Sequence, residues 1–113
     1  MPFIDSKITV SVDDATKEAI KNELGKAISI LHKPESYLMV GIKDNYDLYF
    51  AGQKLEKGAF VSVQCYGKPS SADTDKMTAR ICEIYRQLLD IPGDHIYITY
   101  QGIGDWGWDG SNF

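Results

Sequence analysis

Pro2 and Lys33 are the two residues whose chemistry could make this chain a catalyst. Because proline is small at its α-carbon, we expect a methionine aminopeptidase to remove Met1 and leave Pro2 as a free secondary amine. Such an amine can take a proton from a substrate and act as a general base. Lys33 carries an ammonium group that can hold a carboxylate. Together the two residues predict proton transfer on an acidic keto substrate.

An N-terminal amine works as a base only if its pKa is lowered toward neutrality. An ordinary α-amino group titrates near ~8, and a secondary amine is intrinsically somewhat more basic. Burial among aromatic side chains and repulsion by Lys33 would both lower the pKa of the Pro2 amine. A shift of about two units requires about 2.7 kcal/mol, which a partly buried site can supply.

Each candidate residue also has a purely structural explanation. Proline is common at position two, and Lys33 near the end of a helix would interact favourably with the helix dipole. Trp106 and Trp108 are of a type that packs in a core or an interface more often than it lines a pocket. Tyr97 on a central strand would usually be packed. The choice between a catalytic and a packing role therefore depends on where the helices and strands place these residues.

The first half of the chain predicts a strand, a helix and a second strand. Apolar and polar residues alternate over residues 3–12, which is typical of a half-buried strand. Asp13 and Asp14 can cap the start of a helix. The apolar stripe of that helix is formed by Ile20, Leu24, Ala27, Ile28 and Leu31. We expect the helix to end at Lys33, because a residue before proline avoids the α conformation. Strand alternation resumes around Val40.

The second half of the chain repeats this plan. Residues 59–66 predict a strand, residues 67–71 predict a turn with a capping serine, and residues 77–88 predict a helix. The strand that follows this helix contains Ile96, Ile98 and Tyr100. Pro34 and Pro92, which stop the two helices, are separated by 58 positions. This offset between corresponding residues of the two halves indicates two related β-α-β units.

These units predict an α/β (α+β) fold in a single domain of residues 1–113, with internal repeats of approximately residues 1–58 and 59–113. We expect a four-stranded mixed sheet with two helices on one of its faces. Residues 48–50 predict a short edge strand. The tail after residue 100 combines glycines with large aromatic residues and predicts a short hairpin.

The face of the sheet that the helices leave uncovered predicts self-association. It carries apolar side chains such as Phe60 and Tyr97. An uncovered apolar face and an aromatic tail are expected to be buried against copies of the same chain.

The lengths of the first strand and helix bring Lys33 back toward Pro2. A strand of about ten residues climbs roughly 33 Å, and a helix of about 19 residues descends roughly 28 Å. A right-handed crossover therefore returns the chain to the level at which it began. The pseudo-twofold relation brings Tyr66, at the far end of the strand over residues 59–66, toward the same level.

Composition and charge exclude several classes of function. The net charge of −4 and the pI near 5.0 argue against a nucleic-acid partner. The first residues contain no apolar stretch long enough for a signal peptide, and no segment approaches a membrane span. We therefore expect no membrane partner, and a cytoplasmic protein or one secreted without a signal peptide. Cys65, Cys82, His32 and His95 lack the spacing of metal ligands, so no metal site is expected.

The chain resembles the macrophage migration inhibitory factor family of the tautomerase superfamily over essentially its full length. The residues that carry the resemblance are, in order, Met1-Pro2, Lys33-Pro34, Tyr37, Val40, Gly67-Lys68, Tyr97-Ile98, Gly107-Trp108, Ser111 and Phe113. The resemblance implies a homotrimer whose sheets form a central barrel with active sites between subunits. It also implies keto–enol tautomerisation of phenylpyruvate-like keto acids and dopachrome analogues, without a metal or cofactor.

The resemblance further implies a role for each candidate residue. Pro2 would abstract and return the proton, while Lys33 and the backbone at Tyr66 would bind the substrate carboxylate. Tyr97 from the neighbouring subunit would contribute to the pocket. The remaining wall candidates are Trp106 and Phe113.

Three positions depart from the family's well-known cytokine. Thr99 stands where that protein has an asparagine, and it has a shorter reach and one fewer donor. Tyr66 and Trp106 replace smaller aliphatic residues, so we expect a narrower or differently stacked pocket. Residues 58–61 replace a Cys-x-x-Cys motif that is associated with thiol–disulfide activity, and we therefore predict no redox activity.

Two other functions are compatible with the same residues. The chain could be a signalling protein without a leader, recognised by a protein receptor, in which the pocket is idle. It could also be a trimeric scaffold that binds a small acid without turning it over. Assays of turnover, receptor binding and ligand binding distinguish these functions from a tautomerase.

Overall fold

A computed structural model describes residues 1–113 as eight strands, two α-helices and three 3-10 helices. The strands are β1 (Pro2–Ile8), β2 (Met39–Lys43), β3 (Tyr49–Phe50), β4 (Gln53–Lys54), β5 (Ala59–Tyr66), β6 (Ile96–Ile103), β7 (Gly107–Trp108) and β8 (Ser111–Asn112). The α-helices are α1 (Asp14–Ala27) and α2 (Ser71–Leu89). The 3-10 helices span Ile28–Leu31, Glu35–Tyr37 and Gly93–His95.

The four long strands form one mixed sheet in the order β2-β1-β5-β6. β1 runs parallel to β2, and β5 runs parallel to β6, each pair being connected through a helix. The central pair, β1 and β5, is antiparallel. β3 pairs with β4 and β7 pairs with β8 as separate two-stranded hairpins. The predicted fold class, with two β-α-β units and short edge strands, is confirmed.

Both α-helices begin at capping residues that the sequence marks. The Asp13 carboxylate accepts a hydrogen bond from the Thr16 amide at 2.8 Å. The Ser70 hydroxyl accepts one from the Asp73 amide at 3.2 Å. Each of these bonds satisfies a backbone donor that the first turn of a helix leaves without a partner.

β1 is shorter than predicted, because it ends at Ile8 and not at residue 12. Beyond Ile8 the chain bonds to the loop that follows β2. The Tyr46 amide donates to the Ile8 carbonyl at 3.0 Å, and the Val12 amide donates to the Asp44 carboxylate at 2.8 Å. Val12 remains buried although it is outside the strand, so the apolar alternation continues past the end of the sheet.

The first helix also ends earlier than predicted. Regular α-helix stops at Ala27, and the next four residues tighten into a 3-10 turn. His32 then adopts a left-handed conformation with φ of 60°. Because Pro34 keeps Lys33 out of the α region, the helix has to finish before Lys33, and 3-10 bonds satisfy its last carbonyls. Lys33 therefore lies in a loop after the helix and not in its last turn.

The hydrophobic core lies between the helices and one face of the sheet, where 18 apolar residues are buried together. Every second residue of β1 and β5 points into this core. The intervening residues form the opposite face of the sheet, which the two α-helices leave uncovered. Phe60 and Tyr97 lie on this face, as predicted, and Tyr97 is 60% exposed. Neither α-helix combines the length and the hydropathy that a membrane span requires.

Candidate active site

Pro2, Lys33 and Tyr66 meet at one end of the four-stranded sheet. Pro2, the first residue of β1, lies opposite Cys65 near the end of β5. The Tyr66 amide donates a hydrogen bond to the Met1 carbonyl at 2.9 Å. The Lys33 ammonium donates to the Tyr66 carbonyl at 2.9 Å. The crossover argument placed these three residues at one level, and the structure brings them together there.

Lys33 is a cation without a carboxylate partner. None of the ion pairs in the structure includes it. Its side chain is half-buried, and its only hydrogen bond to the protein is the one to the Tyr66 carbonyl. Because an ammonium group has three donors, Lys33 retains the capacity to bind an anion.

The positive charge of Lys33 and partial burial act on the amine at the N-terminus. Burial, followed by repulsion from Lys33, lowers the pKa of the Met1 amine below its ordinary value. The Pro2 nitrogen is part of a peptide bond while Met1 is attached, and it then has no basic lone pair. Burial also raises the pKa of the neighbouring Cys65 thiol. The environment therefore disfavours charge at both groups.

A cleft of about 430 Å³ opens beside Pro2. Its lining residues are Met1, Pro2, Phe3, Ser36, Tyr37, Leu38, Met39, Gln64, Trp106, Gly107 and Trp108. Most of these residues are apolar, so the cleft suits a ligand with an apolar body. Lys33 and Tyr66 do not themselves line the cleft. Tyr66 is hydrogen-bonded to Met1, which does line it, and Lys33 is hydrogen-bonded to Tyr66.

An aromatic cluster fixes the C-terminal tail at the mouth of this cleft. Phe113 stacks on Trp108 with ring centroids 5.9 Å apart and contacts Tyr37 at 6.3 Å and Tyr66 at 6.0 Å. Tyr37 also meets Trp108 edge-on at 5.8 Å. The Phe113 amide donates to the Trp106 carbonyl at 2.9 Å, which closes the β7–β8 hairpin. Trp106 thus lines the cleft directly, whereas Phe113 supports its wall.

Tyr97 and Thr99 are not brought to Pro2 within one chain. They lie on the uncovered face near the start of β6, whereas Pro2 is level with Gly102 through its partner Cys65. Five strand residues separate Tyr97 from this level, or about 17 Å, and three separate Thr99 from it, or about 10 Å. The Tyr97 ring instead packs edge-on against Phe50 at 5.5 Å. A second apolar cleft, of about 90 Å³, adjoins this contact.

The sequence-based list of site residues omits several side chains that line the cleft. In the sequence analysis Tyr37 is only a point of resemblance, Trp108 is a point of resemblance and a residue expected to pack, and Phe3 and Gln64 are not singled out at all. The alternation of β1 and β5 could have identified Phe3 and Gln64, because they face each other across the two strands. Tyr37 depends on the 3-10 turn over Glu35–Tyr37, which has no clear sequence pattern.

No three His, Cys, Asp or Glu side chains are grouped closely enough to hold a metal ion. Cys65 and Cys82 are free thiols. The chemistry available at the Pro2 end of the sheet is therefore that of an amine, an ammonium group, backbone amides and an apolar wall.

The sequence model described as macrophage migration inhibitory factor matches residues 1–113 of this chain. Among curated relatives, the chain is 29% identical to the macrophage migration inhibitory factor of Xenopus laevis, over 91% of this chain and 88% of the relative. It is 24% identical to the macrophage migration inhibitory factor homolog of Trichinella spiralis over the full length of both.

Solved structures share the fold. The chain is 30% identical to MIF2 of Leishmania major, with a TM-score of 0.93 over 100% of this chain and 97% of that one. A macrophage migration inhibitory factor homologue from Prochlorococcus marinus is 27% identical, with a TM-score of 0.89 over 98% of both chains. The fold alone is shared with a fused asymmetric trimer of 4-OT, which is 12% identical, with a TM-score of 0.85 over 97% of this chain and 94% of that one.

Proposed function

We propose that this chain, which belongs to the macrophage migration inhibitory factor family, is a cofactor-independent keto–enol tautomerase of phenylpyruvate-like keto acids. One observation carries the proposal. Pro2 lies at the wall of an apolar cleft, next to the Tyr66 amide and to a lysine that has no carboxylate partner. This arrangement can hold the carboxylate of a keto acid and offer a base to the proton-bearing carbon next to the keto group.

Removal of Met1 supplies the base in this proposal. The free nitrogen then belongs to Pro2, whose side chain is buried, and the charge of Lys33 acts on it at short range. Both effects lower the pKa of the amine. The Pro2 nitrogen takes a proton from the carbon next to the keto group, and the electron pair of the broken carbon–hydrogen bond forms the carbon–carbon double bond. The keto oxygen takes a proton from water to give the enol, and the protonated Pro2 amine gives its proton back to water. The reverse steps return the proton to carbon.

Removal of Met1 also frees the group that would bind the substrate carboxylate. The Tyr66 amide is bonded to the Met1 carbonyl while Met1 is attached. Without Met1, this amide and the Lys33 ammonium present donors to the same small region. Hydrogen bonds from a cation and a backbone amide to a carboxylate are strong because the acceptor is charged.

A second copy of the chain would complete the site. We propose a homotrimer in which sheets form a central barrel and each site lies between subunits. The proposal is supported by the uncovered sheet face and by exposed aromatic residues at both of its ends. Tyr97 lies about 17 Å and Thr99 about 10 Å from the level of Pro2 along the strands of one chain, so a neighbouring subunit would bring them to the pocket. In this arrangement Trp106 and Phe113 belong to the wall.

The direct test is phenylpyruvate tautomerisation by chain from which Met1 has been removed, as verified by mass spectrometry of the N-terminus. We expect Pro2→Gly to lower kcat/KM by about 100-fold, because a flexible primary amine replaces the rigidly held secondary amine and most of the contribution of a positioned general base is lost. NMR titration of the Pro2 nitrogen should give a pKa below that of an exposed prolyl terminus. Equal rates for the two proteins, or an ordinary pKa, would overturn the proposal.

A second candidate function follows from the family itself. The curated relatives are named as macrophage migration inhibitory factors, so a signalling protein with an idle pocket is the alternative. Receptor binding that survives Pro2→Gly, combined with no tautomerase activity in the processed chain, would favour this alternative.

A further inference from the structure

We propose that Met39 of one copy of the chain inserts into the second apolar cleft, the one beside Tyr97 and Phe50, of the next copy. The inference relies on the self-association in the proposed function and names the contact that would hold the subunits in register. Met39 is the first residue of β2, an edge strand of the sheet, and its side chain lines the cleft beside Pro2.

Met39 is an apolar side chain that its own chain leaves in water. It is 68% exposed, and it lies level with Phe3 on the face of the sheet that the helices leave uncovered. Three other large apolar side chains are exposed at this end, but Tyr37, Trp108 and Phe113 pack on one another. Met39 is the most exposed of the four, and its unbranched thioether chain can adapt to an irregular gap.

The second apolar cleft lies at the opposite end of the same face. Its volume is about 90 Å³, and its apolar lining includes Leu48, Phe50, Leu55, Phe60 and Tyr97. The cleft is smaller than the roughly 150 Å³ of a cavity that holds a benzene ring. It therefore suits an unbranched side chain of a few heavy atoms better than an aromatic ring. Its walls lack partner atoms on one side, and an inserted side chain would supply them.

Met39 cannot reach the second cleft of its own chain. Through Phe3 it is level with Gln64 of β5, whereas Phe60 lies four residues away along that strand, or about 13 Å. Tyr97 lies on β6, which is three strands away from β2 in the sheet, or about 14 Å. Both separations exceed the reach of a methionine side chain, so the occupant belongs to another molecule.

A second copy of the chain is the occupant because the contact brings together the two parts that the proposed site needs. Met39 borders the cleft beside Pro2, and Tyr97 borders the second cleft. Insertion of Met39 therefore places Tyr97 of the next copy beside Pro2. An apolar side chain that fits a pocket elsewhere on the same molecule makes a heterologous contact, which can close into a ring.

The test measures how fast assembled, processed protein exchanges subunits, by native mass spectrometry of mixed labelled and unlabelled chains. Met39→Gln keeps the length of the side chain but would bury an amide without a partner. We expect it to speed exchange by at least about tenfold, since the burial of one methionine side chain is lost. The matched control is Met39→Leu, which keeps an apolar side chain of similar volume and should restore most of the slow exchange.

Filling the second cleft tests the same contact from the other side. Leu48→Trp should also speed exchange, because the larger ring takes the space that Met39 would enter. The two changes disrupt one contact, so the double variant should exchange no faster than the faster of the two single variants. Effects that multiply would show that residues 39 and 48 act independently. Circular dichroism verifies that each variant remains folded.

Photo-methionine, which carries a diazirine, identifies the neighbours of residue 39 in the otherwise unchanged protein. We expect adducts between chains at the lining of the second cleft, such as Leu48 and Phe60. Adducts elsewhere, a monomeric wild type, or exchange that Met39→Gln leaves unchanged would overturn the inference.

These readouts need no turnover, so the inference and the proposed reaction fail separately. An assembled protein with the expected adducts that does not tautomerise phenylpyruvate would refute only the reaction. An active oligomer in which Met39→Gln exchanges as slowly as the wild type would refute only the inserted methionine.

Discussion

Lys33 acts at the scale of a single residue, and its environment distinguishes it from the other lysines of the chain. It is half-buried, it is bonded to a backbone carbonyl, and it lacks an acidic partner. A surface lysine in an ion pair, such as Lys57 with Asp90, would be poorly available to a substrate. Position within the loop after the first helix therefore explains why this ammonium group could bind an anion and also lower the pKa of a nearby amine.

We expect Lys33→Met to raise KM for phenylpyruvate by at least about tenfold, because a hydrogen bond to a charged group is lost. The same change removes the repulsion that lowers the pKa of the Pro2 amine. Since the base must be deprotonated, the acid limb of the pH profile of kcat/KM should move to higher pH. Lys76→Met, which changes the net charge equally on the exposed surface of α2, should leave both quantities unchanged. An unchanged KM in Lys33→Met would contradict the assigned role.

At the scale of elements, the end of β6 and the turn after β5 hold the Tyr66 backbone in place. Gly67 donates its amide to the Ile103 carbonyl at 2.9 Å. A β-carbon at Gly102 would lie 2.9 Å from the Lys68 α-carbon and 3.0 Å from the Gly67 carbonyl oxygen. Both neighbours are backbone atoms, so neither can move aside without shifting the turn.

Gly102→Ala should lower the free energy of unfolding by about 1 to 3 kcal/mol, because the added methyl group forces a backbone shift. The displaced turn should also weaken binding at the Tyr66 amide. The matched control is Gly104→Ala, where a β-carbon meets no atom within 4 Å and where we expect a change within about 0.5 kcal/mol. Urea denaturation at one chain concentration measures the free energy of unfolding of both variants. Equal losses of stability would show that the backbone at residues 67 and 68 leaves room for a β-carbon at position 102.

The contact between α2 and β1 predicts a stability that depends on pH. Tyr85 is fully buried, and its hydroxyl is bonded to Ser6. Burial raises the pKa of Tyr85 to about 12, compared with about 10 for the unfolded chain. The folded state holds the Tyr85 proton more tightly than the unfolded chain does. The contribution of this proton to the free energy of unfolding is therefore fully present below pH 10 and is lost as the pH rises toward 12.

Tyr85→Phe should destabilise the protein at pH 7, because it leaves the buried Ser6 hydroxyl without a partner. The difference in unfolding free energy between wild type and variant should then shrink by about 2 to 3 kcal/mol between pH 10 and 12. Parallel pH profiles of the two proteins would contradict a raised pKa. Chemical denaturation across this pH range provides the measurement.

At the scale of the whole molecule, the two ends of the uncovered sheet face carry complementary parts. Pro2, Trp106 and the tail hairpin lie at one end, and Tyr97 with Phe50 lies at the other. An interface that joins one end of this sheet face to the opposite end of the same face in the next copy is heterologous. It closes into a ring if the rotation between successive copies adds up to a full turn. The chain by itself carries only part of the proposed pocket.

Mixed oligomers test this division of the site. Pro2→Gly and Tyr97→Ala should each reduce activity, but co-refolding the two variants should restore about one site in four under random mixing. Mixing Pro2→Gly with Lys33→Met should restore nothing, because both residues would come from the same subunit of a site. Recovery in neither mixture would mean that Tyr97 does not reach the site from a subunit other than the one that supplies Pro2.

Much of the local structure was predictable from neighbouring residues alone. Period-two alternation in β1 and β5, the caps at Asp13 and Ser70, and the helix-stopping prolines depend on contacts a few residues apart. These signals lead to the two β-α-β units and to the placement of Lys33 near Pro2. The end of β1 was predicted wrongly because Val12 still packs in the core although its amide bonds to the Asp44 side chain in a loop and not to a strand, which no local pattern records.

The sequence by itself thus determined the fold class and the meeting of Pro2 with a lysine at one end of the sheet, because periodicity, capping and strand length are local properties of the chain. Only the tertiary structure decided that the Tyr66 backbone lies between Lys33 and Met1, that Gln64 faces the cleft, and that Tyr97 is held away from it. These contacts depend on the register between strands that are distant in sequence. A shift of one residue would turn each of these side chains to the other face of the sheet.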